Sequence, residues 1–589
     1  MGNCRDCILL FAVLFVLATL ISYPSIYLND EFISANQLNH LVEGTSPLHT
    51  YEPYGYSAYA ESHHNVLCYT LALPVVSLPA YYLFSFFGDS FRLAVLLLWS
   101  ALLLSIPVMV EVWYPHYARW RGIPWTYAAI ISWGVLFVLN MALYRPFWFV
   151  RGVQPGDLQV YPEVAAIVFT GGVAFALFGV VAYLIFREIF ESERWGLFGL
   201  VAVVTSSSYL FWAGNAKDHM LVALFFAAAL YLFTLYLSRD DPLWLFASFI
   251  AVGWTAWARP ELGPALAAGF FLFALAVSVR QGWRRTGTAA LAVLGVPFGA
   301  LPLFVNNLGL SGNPLVLPWV AGYSSQVYSN ISAGTETLQA TIVRQFALPA
   351  GDLLSGLYGT FVNPVYARAA GILQVSPLSL FVLLLLFAVG YAIYKRGTPG
   401  ISLRDARFLA FFAMATLLVM ATLLVMATYL RSLPWIPASP GIVPDMRYLS
   451  PAYLPMLVLG VYALKYAGFG AAEVRESLRT LFWLVLADLP LIYVVLQALS
   501  GRGEAGQVSF MMYLTYLFLA CAAALYLAVV LGKVRPSALA HAVPVLMLCT
   551  LAWELVVDFR FATLCWDGYH FWIPAVQYVW YIQYWIFPL

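Results

Sequence analysis

The chain has 589 residues, of which 62% are hydrophobic and only 10% charged, with a formal net charge of +1 and a mean hydropathy of +0.82. Soluble domains carry about 25% charged residues, so this composition excludes a water-soluble globular enzyme, and the near-zero net charge excludes nucleic acid as a partner. Six cysteines (Cys4, Cys7, Cys68, Cys521, Cys549 and Cys565) show no paired zinc-ligand spacing, and the Cys4/Cys7 pair lies in a short tail without the strand–helix context of a redox motif.

Apolar runs of roughly twenty residues recur along the whole chain, and in lipid such runs are helices because a helix satisfies its own backbone. The first, 7–28, is too long for a signal-peptide core and lacks a small-x-small cleavage site, so it reads as an uncleaved span. Further spans are expected at 93–113, 126–144, 163–186, 197–213, 219–238, 243–258, 261–279, 288–310, 374–394, 408–430, 452–468, 479–499, 510–531 and 537–556. The segment 66–87 is apolar but holds Pro74, Pro79 and several hydroxyl groups. If it lies along the outer interface, roughly 18 of the 29 Lys and Arg fall on the N-terminal side of the membrane; if it spans, the bias reverses. The positive-inside rule therefore favours the non-spanning version, with the N-terminus cytoplasmic, the C-terminus outside and about fifteen spans. The fold class expected is an all-α polytopic membrane bundle with extracytoplasmic interfacial helices. It divides into 1–279 (with a first outer loop 29–92), 280–470 (with a long outer loop 311–373) and 471–589.

In so apolar a chain the charged residues at the outer span ends are the candidates for chemistry. Asp30 and Glu31 follow the first span directly, and as sequence neighbours on a helix they cannot both face one ligand. Tyr51, Tyr54, Tyr56 and Tyr59 suit either sugar stacking or an aromatic belt. His63-His64-Asn65 offers a phosphate or metal contact without a third clustered ligand. Arg145, Arg151, Asp157, Tyr161 and Glu163 make up the second outer loop, and Glu163 is either a second acid or an acid satisfying a helix dipole. Asn215-Ala216-Lys217-Asp218-His219 is a polar knot in which Lys217 and His219 can donate to a phosphate while Asp218 holds either in place. Arg259-Pro260-Glu261 supplies a phosphate contact or an internal Arg259–Glu261 clamp. Arg447, ahead of the 452–468 span, is a phosphate contact or a snorkelling cation. Asp488, inside an apolar run, is a proton relay or a helix–helix hydrogen bond. The sequence fixes no cofactor and leaves a divalent metal open.

These motifs, in this order and on this side, resemble a GT-C membrane glycosyltransferase, and within that superfamily the protein mannosyltransferase and aminoarabinose transferase branch. The resemblance is carried by Asp30-Glu31 after the first span, His64-Asn65 ahead of 66–87, Glu163 at the outer start of the fourth span, Ala258-Arg259-Pro260-Glu261, Gly312-Asn313-Pro314-Leu315 and Arg447-Tyr448-Leu449-x-Pro451. It departs from the family in lacking a Pro-Pro pair in 66–87, and no motif matches beyond about 470. No soluble domain follows the last expected span, which argues against a sequon-scanning oligosaccharyltransferase. The resemblance implies a polyprenyl-phosphate-linked sugar donor and inverting transfer to an acceptor hydroxyl on a protein, lipid or glycan at the extracytoplasmic face. It implies Asp30, with Glu31 and Glu163, as the catalytic acids. His64, Lys217, His219, Arg259 and Arg447 would bind the donor phosphate, with Asp218 positioning them. The rival from another class is a secondary transporter or lipid-linked sugar flippase, which would favour charges at the midplane and inverted repeats.

Overall fold

The computed structural model describes residues 4–22, 31–45, 70–113, 119–120, 123–145, 162–260, 262–279, 282–315, 361–362, 371–397, 418, 450–499, 504–564 and 572–578. The chain is an all-α polytopic membrane protein. Among the described residues, strand is confined to a two-residue antiparallel pairing of Arg119–Trp120 with Ile123–Pro124. Among the described residues nine helices are long and apolar enough to cross a membrane, and Pro242–Ala258 and Gly263–Val279 are shorter apolar helices.

The first half comprises α1 (Cys4–Ile21), α2 (Glu31–Glu43), α3 (Ala72–Phe87), α4 (Phe91–Trp113), α5 (Trp125–Leu143) and α6 (Pro162–Phe190). It continues with α7 (Glu193–Thr205), α8 (Tyr209–Ala213), α9 (His219–Arg239), α10 (Pro242–Ala258), α11 (Gly263–Val279), α12 (Trp283–Ala292), α13 (Gly295–Gly299) and α14 (Leu301–Ser311). The second half comprises α15 (Leu380–Arg396), α16 (Ser450–Tyr466), α17 (Ala471–Trp483), α18 (Leu489–Leu499), α19 (Glu504–Val530) and α20 (Leu539–Leu564). The central helix is α6, 72% buried over its most apolar stretch, where the lipid-facing α5 is only 6% buried. Small residues let α1 lie antiparallel against it: a Cβ on Gly172 would meet Ala18 Cβ at 3.6 Å, and one on Gly179 would strike the Leu14 side chain. With no hydrophobic drive between helices inside lipid, such close approach supplies the packing energy.

The same device fixes α10. A Cβ on Gly295 would lie 2.6 Å from the Phe246 carbonyl, and one on Gly299 would run into the Ile250 carbonyl. Backbone cannot step aside as a side-chain tip can, so we expect Gly299→Val to destabilise the chain by about 1–3 kcal/mol, read as a lowered thermal midpoint in detergent, because α10 must be pushed off its neighbour.

Composition alone makes Ala72–Val112 one continuous apolar stretch of 41 residues. As one helix this would extend about 60 Å, twice the hydrocarbon thickness. The chain breaks at Gly88, which takes φ 53°, a left-handed value that glycine adopts without strain. Thr70, just ahead of α3, donates to the Ala258 carbonyl at the end of α10 (2.9 Å). At the far end of α3, Phe84 packs on Phe91, the first residue of α4. Trp99 of α4 donates to Val16 near the C-terminal end of α1 (3.1 Å). Thr70, Phe84 and Trp99 thus tie α3 and the start of α4 to the end of the bundle where α1 finishes and α6 begins.

Span 197–213 is interrupted. Ser206, Ser207 and Ser208 break it into α7 and α8 although all three are fully buried. Their hydroxyls compete with the helix for backbone groups: Ser207 donates to the Val203 carbonyl (2.5 Å) and Ser206 Oγ accepts from the Leu378 amide (3.4 Å). Tyr209 Oη then accepts from the Leu454 amide of α16 (3.2 Å). The irregular backbone is thus satisfied inside protein, the condition for tolerating it at membrane depth. Asp488 sits half-exposed in a π-helical turn, Leu484–Asp488, between α17 and α18.

Candidate functional site

The break at Ser206–Ser208 carries the chain through the short α8 into the polar knot, so that Lys217, Asp218 and His219 reach the start of α9 with almost no exposure: 5% for Lys217 and 2% for His219. Asn215, 1% exposed, donates to the Phe211 carbonyl (2.6 Å) and closes the turn. His219 stands edge-on to Trp212, ring centroids 4.5 Å apart. Across from them α10 ends at Arg259, because the following Pro260 disfavours helical geometry at the residue before it. The Arg259 amide still donates to Thr255 (2.7 Å), so the side chain leaves from a fixed helix end. Its Nη2 donates to Asp218 Oδ1 at 2.6 Å, with the two side chains 18% and 17% exposed.

Asp218 Oδ1 thus pairs with Arg259 at 2.6 Å, and His219 Nδ1 lies 4.0 Å from the same oxygen. Arg259 arrives from the end of the neighbouring helix α10. Glu261, the other partner considered for Arg259, lies outside the described residues.

The acids come from the starts of α2 and α6. Glu31 opens α2 and Glu163 is the second residue of α6; both are fully buried. A carboxylate in the first turn of a helix meets the positive end of the helix dipole, which offsets part of its burial cost. Helix α2 packs on α3 and α6. A Cβ added at Gly171 of α6 would lie 3.3 Å from the Ala213 carbonyl, and one at Gly214 would lie 3.2 Å from Ser22 Cα. The end of α1, the first turns of α6 and the knot are therefore in backbone contact at one end of the bundle. Glu31, Glu163, Lys217, Asp218, His219 and Arg259 all lie at this end. Asp30, His64 and Arg447 lie outside the described residues, as do Tyr51, Tyr54, Tyr56, Tyr59, His63, Asn65, Arg151, Asp157 and Tyr161. Among the described residues no group of three or more His, Cys, Asp or Glu side chains is placed to hold a metal ion.

Sequence reasoning missed Arg92. It is fully buried in the first turn of α4, donating through Nε to the Trp572 carbonyl (3.3 Å), through Nη1 to the Arg145 carbonyl (2.9 Å) and through Nη2 to Gln577 Oε1 (2.9 Å). Its guanidinium lies 5.9 Å from the Tyr144 ring. The segment 572–578 is pinned a second time, where Asn140 Oδ1 accepts from the Ala575 amide (2.9 Å). Trp572, fully buried, also packs on Phe84 of α3. The only signal in the sequence was a lone arginine at a span end. We expect Arg92→Leu to cost about 2–4 kcal/mol by stranding buried carbonyl acceptors, and Arg92→Lys to restore only part, since an ammonium lacks the three-way planar fork. Thermal unfolding of the purified chain checks both.

Residues 162–307 match the family described as dolichyl-phosphate-mannose-protein mannosyltransferase. No curated protein matches the chain. Among solved structures, the crystal structure of ArnT from Cupriavidus metallidurans bound to undecaprenyl phosphate is 14% identical, with 95% of this chain and 79% of that one covered and a TM-score of 0.42. The apo structure of the same protein is 15% identical, with 93% and 76% covered and a TM-score of 0.35. The resemblance to GT-C membrane glycosyltransferases of the mannosyltransferase branch thus recurs in the family match, over the stretch that holds Glu163, Lys217, Asp218, His219 and Arg259.

Proposed function

We propose that the chain is an inverting glycosyltransferase that moves a sugar from a polyprenyl-phosphate donor to an acceptor hydroxyl at the extracytoplasmic membrane face. The observation that carries this is the gathering of buried acids and paired cations at one end of an otherwise apolar bundle, in the segment matched to the mannosyltransferase family. Arg187, Arg239 and Lys465 close the opposite ends of α6, α9 and α16, and Lys465 Nζ lies 5.3 Å from the Phe190 ring. By the positive-inside rule the basic end is cytoplasmic and the acidic end outside.

The chemistry needs little machinery. A lipid phosphate is already a good leaving group, so one base suffices, unlike glycoside hydrolysis with its two carboxylates. Asp30 takes the proton of the acceptor hydroxyl as its oxygen attacks the anomeric carbon, and Glu31 and Glu163 position the acceptor. Lys217, His219, Arg259, Arg447 and His64 offset the charge that builds on the departing phosphate, with Asp218 aiming the Arg259 fork. We assign this work to the module 1–279, with Arg447 reaching in from 280–470 and the helices beyond 471 contributing to acceptor recognition.

Proteoliposomes holding the purified chain test the reading. Radiolabel should pass from a polyprenyl-phosphate sugar to membrane acceptors. Movement of the lipid-linked sugar across the bilayer without transfer would favour the transporter or flippase instead.

A further inference from the structure

Helix α2 is polar in composition yet largely buried over its first half. Glu31, Ile33, Ser34, Ala35, Asn36, Gln37, Leu38 and Asn39 are all under 9% exposed. Its 100° spacing puts Glu31, Ala35, Leu38 and Val42 on one face, of which Ala35, Leu38 and Val42 join the apolar core. Asn36 and Asn39 stand on the adjoining face, one turn apart, 4% and 3% exposed. The side-chain carbonyl oxygen of each is buried and receives no hydrogen bond. An unmet buried acceptor costs about 1–3 kcal/mol, and two in one turn, on a helix that has polar residues to spare, call for an outside partner. The same face runs on to Glu43, three to four residues further, which is exposed. Helix α2 packs beside α6, the helix that carries Glu163.

We infer that Asn36 and Asn39 form a subsite for the hydroxyl groups of a sugar ring. Side chains three apart on a helix stand about 5–6 Å apart, which suits two hydroxyls of one pyranose. An amide can both accept from a hydroxyl and donate to one. That the hydroxyls are those of a sugar rests on the transferase reading; the unmet acceptors do not. The ring belongs either to the lipid-linked donor or to a glycan acceptor, and the two sources share this chemistry.

The test uses the full chain in nanodiscs and saturation-transfer NMR with methyl α-D-mannopyranoside and methyl α-D-glucopyranoside, with glycerol as the control. Wild type should transfer saturation to at least one glycoside, and Asn36→Leu and Asn39→Leu should each weaken that binding about tenfold, the worth of one hydrogen bond. Neither variant should lower the thermal midpoint, because leucine replaces an unmet polar group of similar size. Loss of folding in both single variants would overturn the inference, since amides without a partner in the chain cannot be needed to fold it. So would a wild type that binds neither glycoside, or variants that bind as well as wild type. Destabilised variants with unchanged glycoside binding would show that the amides hold only ordered water, which also overturns it. Displacement of the bound glycoside by polyprenyl-phosphate mannose would identify the donor sugar as the occupant, and simultaneous binding would identify the acceptor. Glycoside binding through Asn36 and Asn39 in a chain without transfer activity would sink the transferase reading and leave the subsite standing.

Discussion

Asp30→Asn is expected to lower sugar transfer about 10²–10⁴-fold, the usual worth of a general base, while leaving donor binding and the thermal midpoint close to wild type. The amide keeps the shape of the carboxylate but cannot take a proton, so the loss should fall on turnover and spare the Michaelis constant for the donor. Single-turnover transfer from a radiolabelled polyprenyl-phosphate sugar, beside equilibrium binding of the same lipid, separates the two. If D30N transfers at the wild-type rate, the base is another group, and Glu31, the neighbour that opens α2, becomes the first to test.

The second large effect concerns Arg259 and Asp218. Removing a preorganised cation from a developing negative charge typically costs about 10²–10³ in turnover, so Arg259→Ala should fall in that range. Arg259→Lys should recover part of it, keeping the charge and losing the fork. Asp218→Asn should cost less, about tenfold, since it disturbs the aim of the guanidinium and leaves its charge in place. The double variant R259A/D218N should be no worse than R259A alone, because groups acting as one unit are not additive. Strict additivity in that cycle would mean that Arg259 and Asp218 act independently in transfer despite their 2.6 Å ion pair.

Much of the fold was legible because hydropathy alone decides what crosses lipid. The expected span 93–113 is α4, Phe91–Trp113, and 219–238 is α9, His219–Arg239. What escaped were features made by distant contacts. At the Ser206–Ser208 break, Ser206 Oγ accepts from the Leu378 amide, 172 residues away. The tie at the start of α3 is Thr70 reaching Ala258, 188 residues away. Of the site, the knot stood out because three titratable residues in a row are rare in a chain only 10% charged. Its main partnership did not stand out, since Asp218 and Arg259 are 41 residues apart and meet only through the α9–α10 hairpin. Arg92 was passed over for the same reason, its acceptors Trp572 and Gln577 being 480 and 485 residues away.

The central claim is that one end of this bundle holds a lipid phosphate among the cations of the knot. An experimental structure of the full chain with polyprenyl phosphate bound tests it most directly. The phosphate oxygens should lie within about 3 Å of Arg259 or Lys217, at the end of the bundle where α2 and α6 begin. A phosphate seated instead at the basic end, beside Arg187, Arg239 and Lys465, would contradict it.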